Sequence, residues 1–102
     1  MNSLQRTFDH IEYKEVDRIP FHPILMQFTV KYAEVNYRDF CLNPETKCDA
    51  NFRCARDFGY DWVNVMSDPY AEAEAFGLKV EYPLNSLPIS KGNVINDISD
   101  IA

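Results

Sequence analysis

The chain has 102 residues, of which 46% are hydrophobic and 14% aromatic, and its net charge is −6 at pH 7. That apolar fraction is typical of globular proteins and argues against a disordered chain. Acidic residues outnumber basic ones by 16 to 10, so binding to nucleic acid lacks its main electrostatic driving force. No apolar run approaches the ~18 residues of a membrane span, and the polar start is not a secretion signal. We therefore expect a cytoplasmic protein that binds neither nucleic acid nor a membrane.

The cysteines argue against a disulfide framework and against a local zinc site. Cys41, Cys48 and Cys54 are an odd number and contain no Cys-x-x-Cys pair. Disulfide frameworks use paired cysteines, and zinc knuckles use closer spacing. We expect three free thiols in a reducing compartment and no metal bound by this segment.

Helical periodicity first occurs in the leading segment, residues 1–18. Leu4, Phe8 and Ile11 have the i, i+4, i+7 spacing of an amphipathic helix over residues 3–12, which Asn2 or Ser3 can cap. A second helix is predicted over residues 31–41, with part of its apolar face at Ala33, Tyr37, Phe40 and Cys41.

A third helix has clear start and stop signals. Asn43 suits the N-cap, Pro44 the first helical position, and Gly59 a left-handed C-terminal residue. Its predicted inner stripe consists of Cys48, Phe52, Ala55 and Phe58. Residues 71–76 are predicted to form a short helical turn, and residues 97–102 to begin another helix.

Two apolar segments, residues 21–28 and 60–66, are predicted to be buried strands, and residues 78–82 a shorter strand. Strands that alternate with helices indicate parallel pairing through right-handed crossovers. Two principal strands are too few to close an α/β layer. We therefore expect an α/β fold in which residues 19–102 form the first βα units of a larger, incomplete domain.

Asp68 is the strongest candidate site residue. It follows the predicted strand 60–66, and α/β barrels assemble their active sites at the carboxyl ends of parallel strands. Its carboxylate could hold a cationic group, orient a metal-bound ligand or move a proton. The other interpretation, which the residues leave open, is that Asp68 caps the turn at residues 71–76.

Two further polar residues belong to the first predicted strand. His22 is either a packed core histidine or a ligand-binding group, and no second histidine lies at metal-ligand spacing. Gln27 is placed at the end of that strand. Its amide either binds substrate or ties down a loop, and the residue pattern does not separate the two.

Several motifs then resemble the N-terminal part of the uroporphyrinogen decarboxylase superfamily, across about residues 4–90. They are Asp17-Arg18-Ile-Pro-Phe-His-Pro, Asp49-Ala-Asn-Phe, Phe58-Gly-Tyr-Asp-Trp-Val and Val65-Met-Ser-Asp-Pro-Tyr-Ala-Glu-Ala-Glu-Ala-Phe-Gly-Leu-Lys-Val-Glu-Tyr-Pro. The resemblance implies a (β/α)8 TIM barrel, of which this chain covers roughly the first third. It also implies that Asp68 matches an aspartate that binds the pyrrole nitrogens of a tetrapyrrole, with Gln27, His22 and Tyr70 as neighbouring substrate-binding residues.

The superfamily also contains zinc-dependent methyltransferases, which move methyl groups between a corrinoid protein and a thiol such as coenzyme M. The decarboxylases carry an Arg-Gln-Ala-Gly-Arg-Tyr segment whose arginines clamp substrate carboxylates. Here Met26 replaces the first arginine, and only Lys31 offers a cation near the second. Lysine does not replace a guanidinium fork. The sequence therefore looks closer to the methyltransferases.

The zinc ligands of that branch, a histidine and two cysteines from the later part of the barrel, have no match here, so we expect this chain to be inactive alone. Alternatives are uroporphyrinogen III decarboxylation, a lyase reaction of tetrapyrrole biosynthesis, and a non-catalytic remnant that completes a partner's barrel. The expected partners are a corrinoid protein, or a tetrapyrrole or thiol substrate, together with a second copy or a barrel-completing chain.

Overall fold

A computed structural model describes residues 1–101 of the chain as helices joined by extended segments and one small sheet. Its helices are α1 (Ser3–Ile11), α2 (Gln27–Ala33), α3 (Tyr37–Leu42), α4 (Pro44–Phe58), α5 (Ala71–Ala75) and a short 3-10 helix (Ile98–Ile101). Its strands are β1 (Lys79–Glu81) and β2 (Ile89–Lys91). No helix among residues 1–101 is long and apolar enough to cross a bilayer.

Helix α1 confirms the first predicted helix and its cap, because the Asn2 side chain accepts a hydrogen bond of 2.8 Å from the Gln5 amide. Its apolar face is nevertheless exposed, with Phe8 56% accessible. The residue that α1 buries is Arg6, on the other side of the helix. The apolar face of α1 therefore has no partner within residues 1–101.

The prediction of one helix over residues 31–41 is wrong. Glu34 adopts a left-handed conformation with φ of 59°, which ends α2. The Asn36 side chain then caps α3 by accepting a hydrogen bond of 2.8 Å from the Asp39 amide. An asparagine that bonds a nearby amide competes with helix continuation, so the chain turns and starts a second helix.

Helix α4 confirms all three end signals. Asn43 accepts a hydrogen bond of 3.0 Å from the Glu45 amide, Pro44 begins the helix, and Gly59 ends it with φ of 67°. The predicted inner stripe is wrong, because Cys48 is exposed and Phe52 is 58% accessible.

The face that α4 buries consists of Ala50, Asn51 and Cys54. Both α2 and α3 pack on this face. Its small side chains allow the helices to approach closely, and a core forms around Phe40, which is fully buried, with Val30 and Tyr37 beside it. Close helix approach over small residues explains why the larger apolar residues of α4 lie outside.

The prediction of strands over residues 21–28 and 60–66 is wrong, because these segments do not form a regular ladder of hydrogen bonds. Phe21 and His22 lie beside residues 60–62, and the Asp61 amide donates to the Phe21 carbonyl at 2.8 Å. The rings of Phe21 and Tyr60 are 6.5 Å apart, and those of His22 and Trp62 are 4.5 Å apart. Over these few residues the contacts advance in the same direction along both segments, as they do in parallel pairing.

Proline is the physical reason why this pair lacks a ladder. Pro23 has no amide hydrogen, so the first segment cannot donate there, and Pro20 removes the donor just before it. The remainder of the predicted strand, from Gln27 onward, enters helix α2 instead.

The C-terminal part confirms the short helical turn as α5 and the strand over residues 78–82 as β1. Strand β2 was not predicted, and it pairs with β1 in antiparallel register, with Val80 opposite Ser90. The predicted final helix appears as the 3-10 helix, and Ala102 lies outside the described residues.

The fold is a thin layer. Its principal extents are 51 × 37 × 17 Å and its radius of gyration is 17.5 Å, against ~13 Å for a compact domain of this length. Its accessible surface is 7393 Å², about 1,400 Å² more than a folded monomer of this mass exposes. Much apolar surface is therefore uncovered.

Candidate functional site

Asp68 is buried, with 3% of its surface exposed, directly after the extended segment 60–66. Its Oδ1 accepts a hydrogen bond of 2.8 Å from the Tyr70 amide, and its Oδ2 accepts one of 2.7 Å from the Ser67 hydroxyl. The bond to Tyr70 stabilises the turn that leads into α5. The N-cap residue of α5 is Tyr70, and no side chain caps the helix there, so Asp68 forms a turn just before α5 and does not cap it.

Two side chains of α3 face this carboxylate. The Tyr37 hydroxyl donates to the Ser67 carbonyl at 2.9 Å, and Cys41, one helical turn later, lies beside Ser67 and Asp68. Burial and the nearby Asp68 charge raise the pKa of Cys41 to about 11. Burial, together with Cys41 and Asp68, raises the pKa of Tyr37 to about 12. Both groups are therefore protonated at neutral pH.

Tyr82, just after β1, has Asp68 and Cys41 nearby. Burial and a hydrogen bond of 2.6 Å to Glu74 raise the pKa of Tyr82 well above its usual value. Within residues 1–101, no lysine or arginine forms an ion pair with Asp68. A buried carboxylate among neutral donors, with no counter-charge, is suited to bind a cation or a ligand N–H group.

The other predicted site residues lie in three different places. His22 stacks on Trp62, and its Nε2 is buried with no hydrogen-bond partner among the described residues. Gln27 is exposed at the start of α2, so its predicted position at a strand end is wrong. Tyr70 is half-buried and precedes α5. Of these residues, Tyr70 is the one bonded directly to Asp68.

Gln27 lies instead in an open groove of about 700 Å³ between α2 and the loop that joins β1 to β2. Tyr37 forms part of the groove lining. Since the Tyr37 hydroxyl also reaches Ser67, this side chain connects the groove to the surroundings of Asp68.

An ion cluster that sequence reasoning missed fixes the start of the segment that ends at Asp68. Arg6 of α1 binds Asp17 through Nε at 2.6 Å and also pairs with Asp61. Arg18 binds Asp61 at 2.6 Å, and the Phe21 amide donates to the same carboxylate at 2.8 Å. The Asp17-Arg18 and Gly-Tyr-Asp motifs therefore meet in space.

Burial of the Asp61 carboxylate opposes its ionisation. The hydrogen bonds that it accepts from the Phe21 amide, Arg18 and Arg6 outweigh this effect and hold the pKa of Asp61 well below its usual value. The sequence did contain a signal for this ion cluster, because Asp61 is an acidic residue in an otherwise apolar segment and Arg6 is a possible partner on α1.

The described residues offer no ready metal site. Among residues 1–101, no three His, Cys, Asp or Glu side chains are grouped so that they could hold a metal ion. Cys41 is half-buried, Cys48 is exposed and Cys54 is buried, and all three are free thiols.

A family model for uroporphyrinogen decarboxylase (URO-D) matches residues 2–102, and the chain belongs to this family. No curated protein matches the chain, and no solved structure matches it.

Proposed function

We propose that this chain supplies the first part of a (β/α)8 barrel that transfers a methyl group from a methylated corrinoid protein to a thiol of the coenzyme M type. The observation that carries the proposal is the charge of the segment from Met26 to Tyr32. It offers one cation, Lys31, on the exposed side of α2. An uroporphyrinogen carries many carboxylates, and their recognition calls for several arginine forks.

The barrel itself is supported by the paired extended segments. Their contacts at residues 21–22 and 60–62 advance in the same direction, which is the direction expected of two parallel barrel strands, and Trp62 is 51% and Val65 78% exposed. The excess surface of about 1,400 Å² is more than the ~800 Å² that one partner buries in a standard protein interface. We propose that the other barrel strands, from the same or another polypeptide, cover this surface, and that the chain alone is inactive.

Asp68 is the group of this chain that we place in the site. Its position after the second extended segment, its burial and the lack of an ion-pair partner for it within residues 1–101 support this role. The Ser67 hydroxyl and the Tyr70 amide hold the carboxylate in one orientation, which is the preorganisation that a binding site needs.

Zinc in such a barrel would stabilise the thiolate form of the acceptor at neutral pH. The described residues do not fit a zinc site, because Cys48 faces solvent and neither Cys41, which has Asp68 beside it, nor Cys54 belongs to a group of three possible ligands. We therefore propose that any zinc ligands lie outside this segment.

The alternative function is decarboxylation of uroporphyrinogen III. One observation favours it, namely that Asp68 is a buried acceptor without a cation, which also suits pyrrole N–H donors. A third possibility is a non-catalytic piece that completes a partner's barrel, which the exposed apolar surface equally supports.

The test uses the chain together with the polypeptide that completes its barrel. Methyl transfer from methylcobalamin to coenzyme M, with zinc present, is measured beside release of CO₂ from uroporphyrinogen III. We expect methyl transfer, a loss of about 100-fold or more in Asp68→Asn, and little change in Glu72→Gln, a matched exposed carboxylate on α5. Release of CO₂ would favour the decarboxylase, and a complex with neither activity would favour the non-catalytic piece.

A further inference from the structure

A separate groove lies at the C-terminal end of the chain, between α5 and residues 94–101. We call it the C-terminal groove, and it is lined by Ala73, Phe76, Val94, Ile95, Asp100 and Ile101. Its volume of about 550 Å³ is in the range of sites for small organic molecules, ~300–1,000 Å³. None of the site residues predicted from the sequence belongs to this lining, so the proposed reaction does not use it.

The small sheet brings the two walls of the C-terminal groove together. Helix α5 precedes β1, and residues 94–101 follow β2. Antiparallel pairing, with Lys79 opposite Lys91, places the residues before β1 beside those after β2. The Leu78 amide also donates to the Ala73 carbonyl at 3.0 Å, which fixes the end of α5 against the start of β1. Contacts within the chain therefore position both walls.

Asp100 is the charged residue of the lining. Its Oδ2 accepts hydrogen bonds of 2.9 Å and 3.1 Å from the Asn96 and Asp97 amides, which leaves Oδ1 for a ligand. The same two bonds hold the pKa of Asp100 below its usual value, so the carboxyl is ionised at neutral pH. Among residues 1–101, no lysine or arginine forms an ion pair with Asp100, and none belongs to the lining.

The other residues of the lining are apolar and open to solvent. Val94 and Ile95 are about half exposed, and Phe76 is more exposed still. An apolar ligand body that covers these side chains is favoured, because binding removes apolar surface of both partners from water. The chain as a whole has a net charge of −6, which attracts cations and repels anions.

We propose that the C-terminal groove binds a small amphiphilic monocation. Its ammonium group binds Asp100, and its apolar body lies along Ala73, Val94 and Ile95. One carboxylate complements one positive charge, whereas an anion would meet Asp100 with no cation in the lining to bind it. The inference is independent of the reaction proposed above, since it concerns binding to this chain alone and involves other residues.

The experiment titrates the full 102-residue chain, labelled with ¹⁵N, with three probes that share one apolar body, and follows amide shifts by NMR at pH 7. The probes are phenylbutylamine, a cation, phenylbutanol, which is neutral, and phenylbutyrate, an anion. We expect the amine to shift the signals of residues 73–76 and 94–101 in a saturable way. The alcohol should bind about fivefold more weakly, because a partly exposed ion pair contributes about that much, and the anion should bind most weakly.

Variants separate the role of Asp100 from a general attraction of cations to an acidic chain. Asp100→Asn should weaken binding of the amine about fivefold and leave that of the alcohol unchanged. The asparagine keeps an oxygen that can accept bonds from the Asn96 and Asp97 amides, so the turn is retained. Glu72→Gln, at an exposed carboxylate of α5 outside the lining, is the matched control and should change neither affinity.

Ile95→Ser tests the apolar wall and should weaken binding of the amine and the alcohol alike, because both lose the same apolar contact. Equal binding of amine and alcohol, or equal weakening of the amine by Asp100→Asn and Glu72→Gln, would overturn the proposal. So would the lack of saturable shifts at residues 73–76 and 94–101, whether the shifts lie elsewhere or do not occur.

Discussion

The Arg6 guanidinium and the Asp61 carboxylate form an ion pair that is almost fully withdrawn from solvent, with 8% and 0% of the two side chains exposed. This pair joins α1 to the beginning of the segment that ends at Asp68. Because α1 has its apolar face exposed, the pair and its neighbours Asp17 and Arg18 are what attach the helix to the remainder of the chain.

Removing the arginine should therefore loosen α1. In Arg6→Met the Asp61 charge stays buried with Arg18 as its remaining partner, and an incompletely paired buried charge is destabilising. We expect the melting temperature to fall by ~5 °C or more, measured by circular dichroism. Arg56→Met, at an arginine whose side chain is 74% exposed, is the control. An equal effect of the two substitutions would contradict the attachment role of Arg6.

Acid should weaken the same cluster. The hydrogen bond from Arg6 lowers the pKa of Asp17 from 3.8 to about 2, and the pKa of Asp61 is lowered as well. Because the pKa values of these two carboxyls are lower in the folded than in the unfolded chain, their ionised forms stabilise the fold above about pH 4. This stabilisation is lost as the pH falls toward 2.

We therefore expect the free energy of unfolding, measured by urea titration at several pH values, to decrease between about pH 4 and pH 2. The decrease should be smaller in Asp17→Asn. Because half of the Asp17 side chain is exposed, solvent limits the size of its effect. A variant with the same acid slope as the parent chain would argue against a contribution from Asp17.

Cys41 should react slowly with alkylating agents. The thiolate is the reactive form, and burial together with Asp68 raises the pKa of Cys41 to about 11. We expect iodoacetamide at neutral pH to label the exposed Cys48 at least ~10-fold faster than Cys41, as measured by peptide mass spectrometry. Asp68→Asn removes the neighbouring charge and should speed the labelling of Cys41, whereas Glu72→Gln should not. Unchanged labelling in Asp68→Asn would show that the charge of Asp68 does not act on Cys41.

The end of α4 depends on a left-handed residue. Gly59 has φ of 67°, and a Cβ atom added there would meet nothing within 4 Å. The cost of Gly59→Ala is therefore backbone strain, about 1 kcal/mol of unfolding free energy. Gly59→Asn should cost less, because asparagine tolerates this conformation better. Chemical denaturation of the two variants tests the order, and an alanine variant as stable as the parent would contradict it.

Local signals in the sequence predicted the helix ends well. Asn2, Asn43, Pro44 and Gly59 act through their own backbone and the next few amides, and each of them has the predicted role. Asn36 carries the same kind of signal inside the predicted helix over residues 31–41, where apolar periodicity hid it. The error there came from giving periodicity more weight than a capping residue.

Burial was predicted less well. The larger apolar residues of α4 suggested an inner face with Phe52, whereas close packing on α2 and α3 selected the face with Ala50 and Cys54. The position of Gln27 was wrong for a related reason, because Pro23 and the start of α2 shortened the first extended segment. Of the residues that surround Asp68, the sequence predicted Tyr70 as a neighbour and did not predict Tyr37 or Cys41.

The sequence by itself determined the family, the ends of α1 and α4, and the position of Asp68 after an extended segment, because these depend on motifs and on contacts between residues close in the chain. Only the tertiary structure decided that Arg6 meets Asp61, that Cys41 faces Asp68, and that Ala73 lines a groove with Asp100. These contacts join residues that are far apart in the chain. They depend on the direction in which each helix packs, and no local sequence pattern specifies that direction.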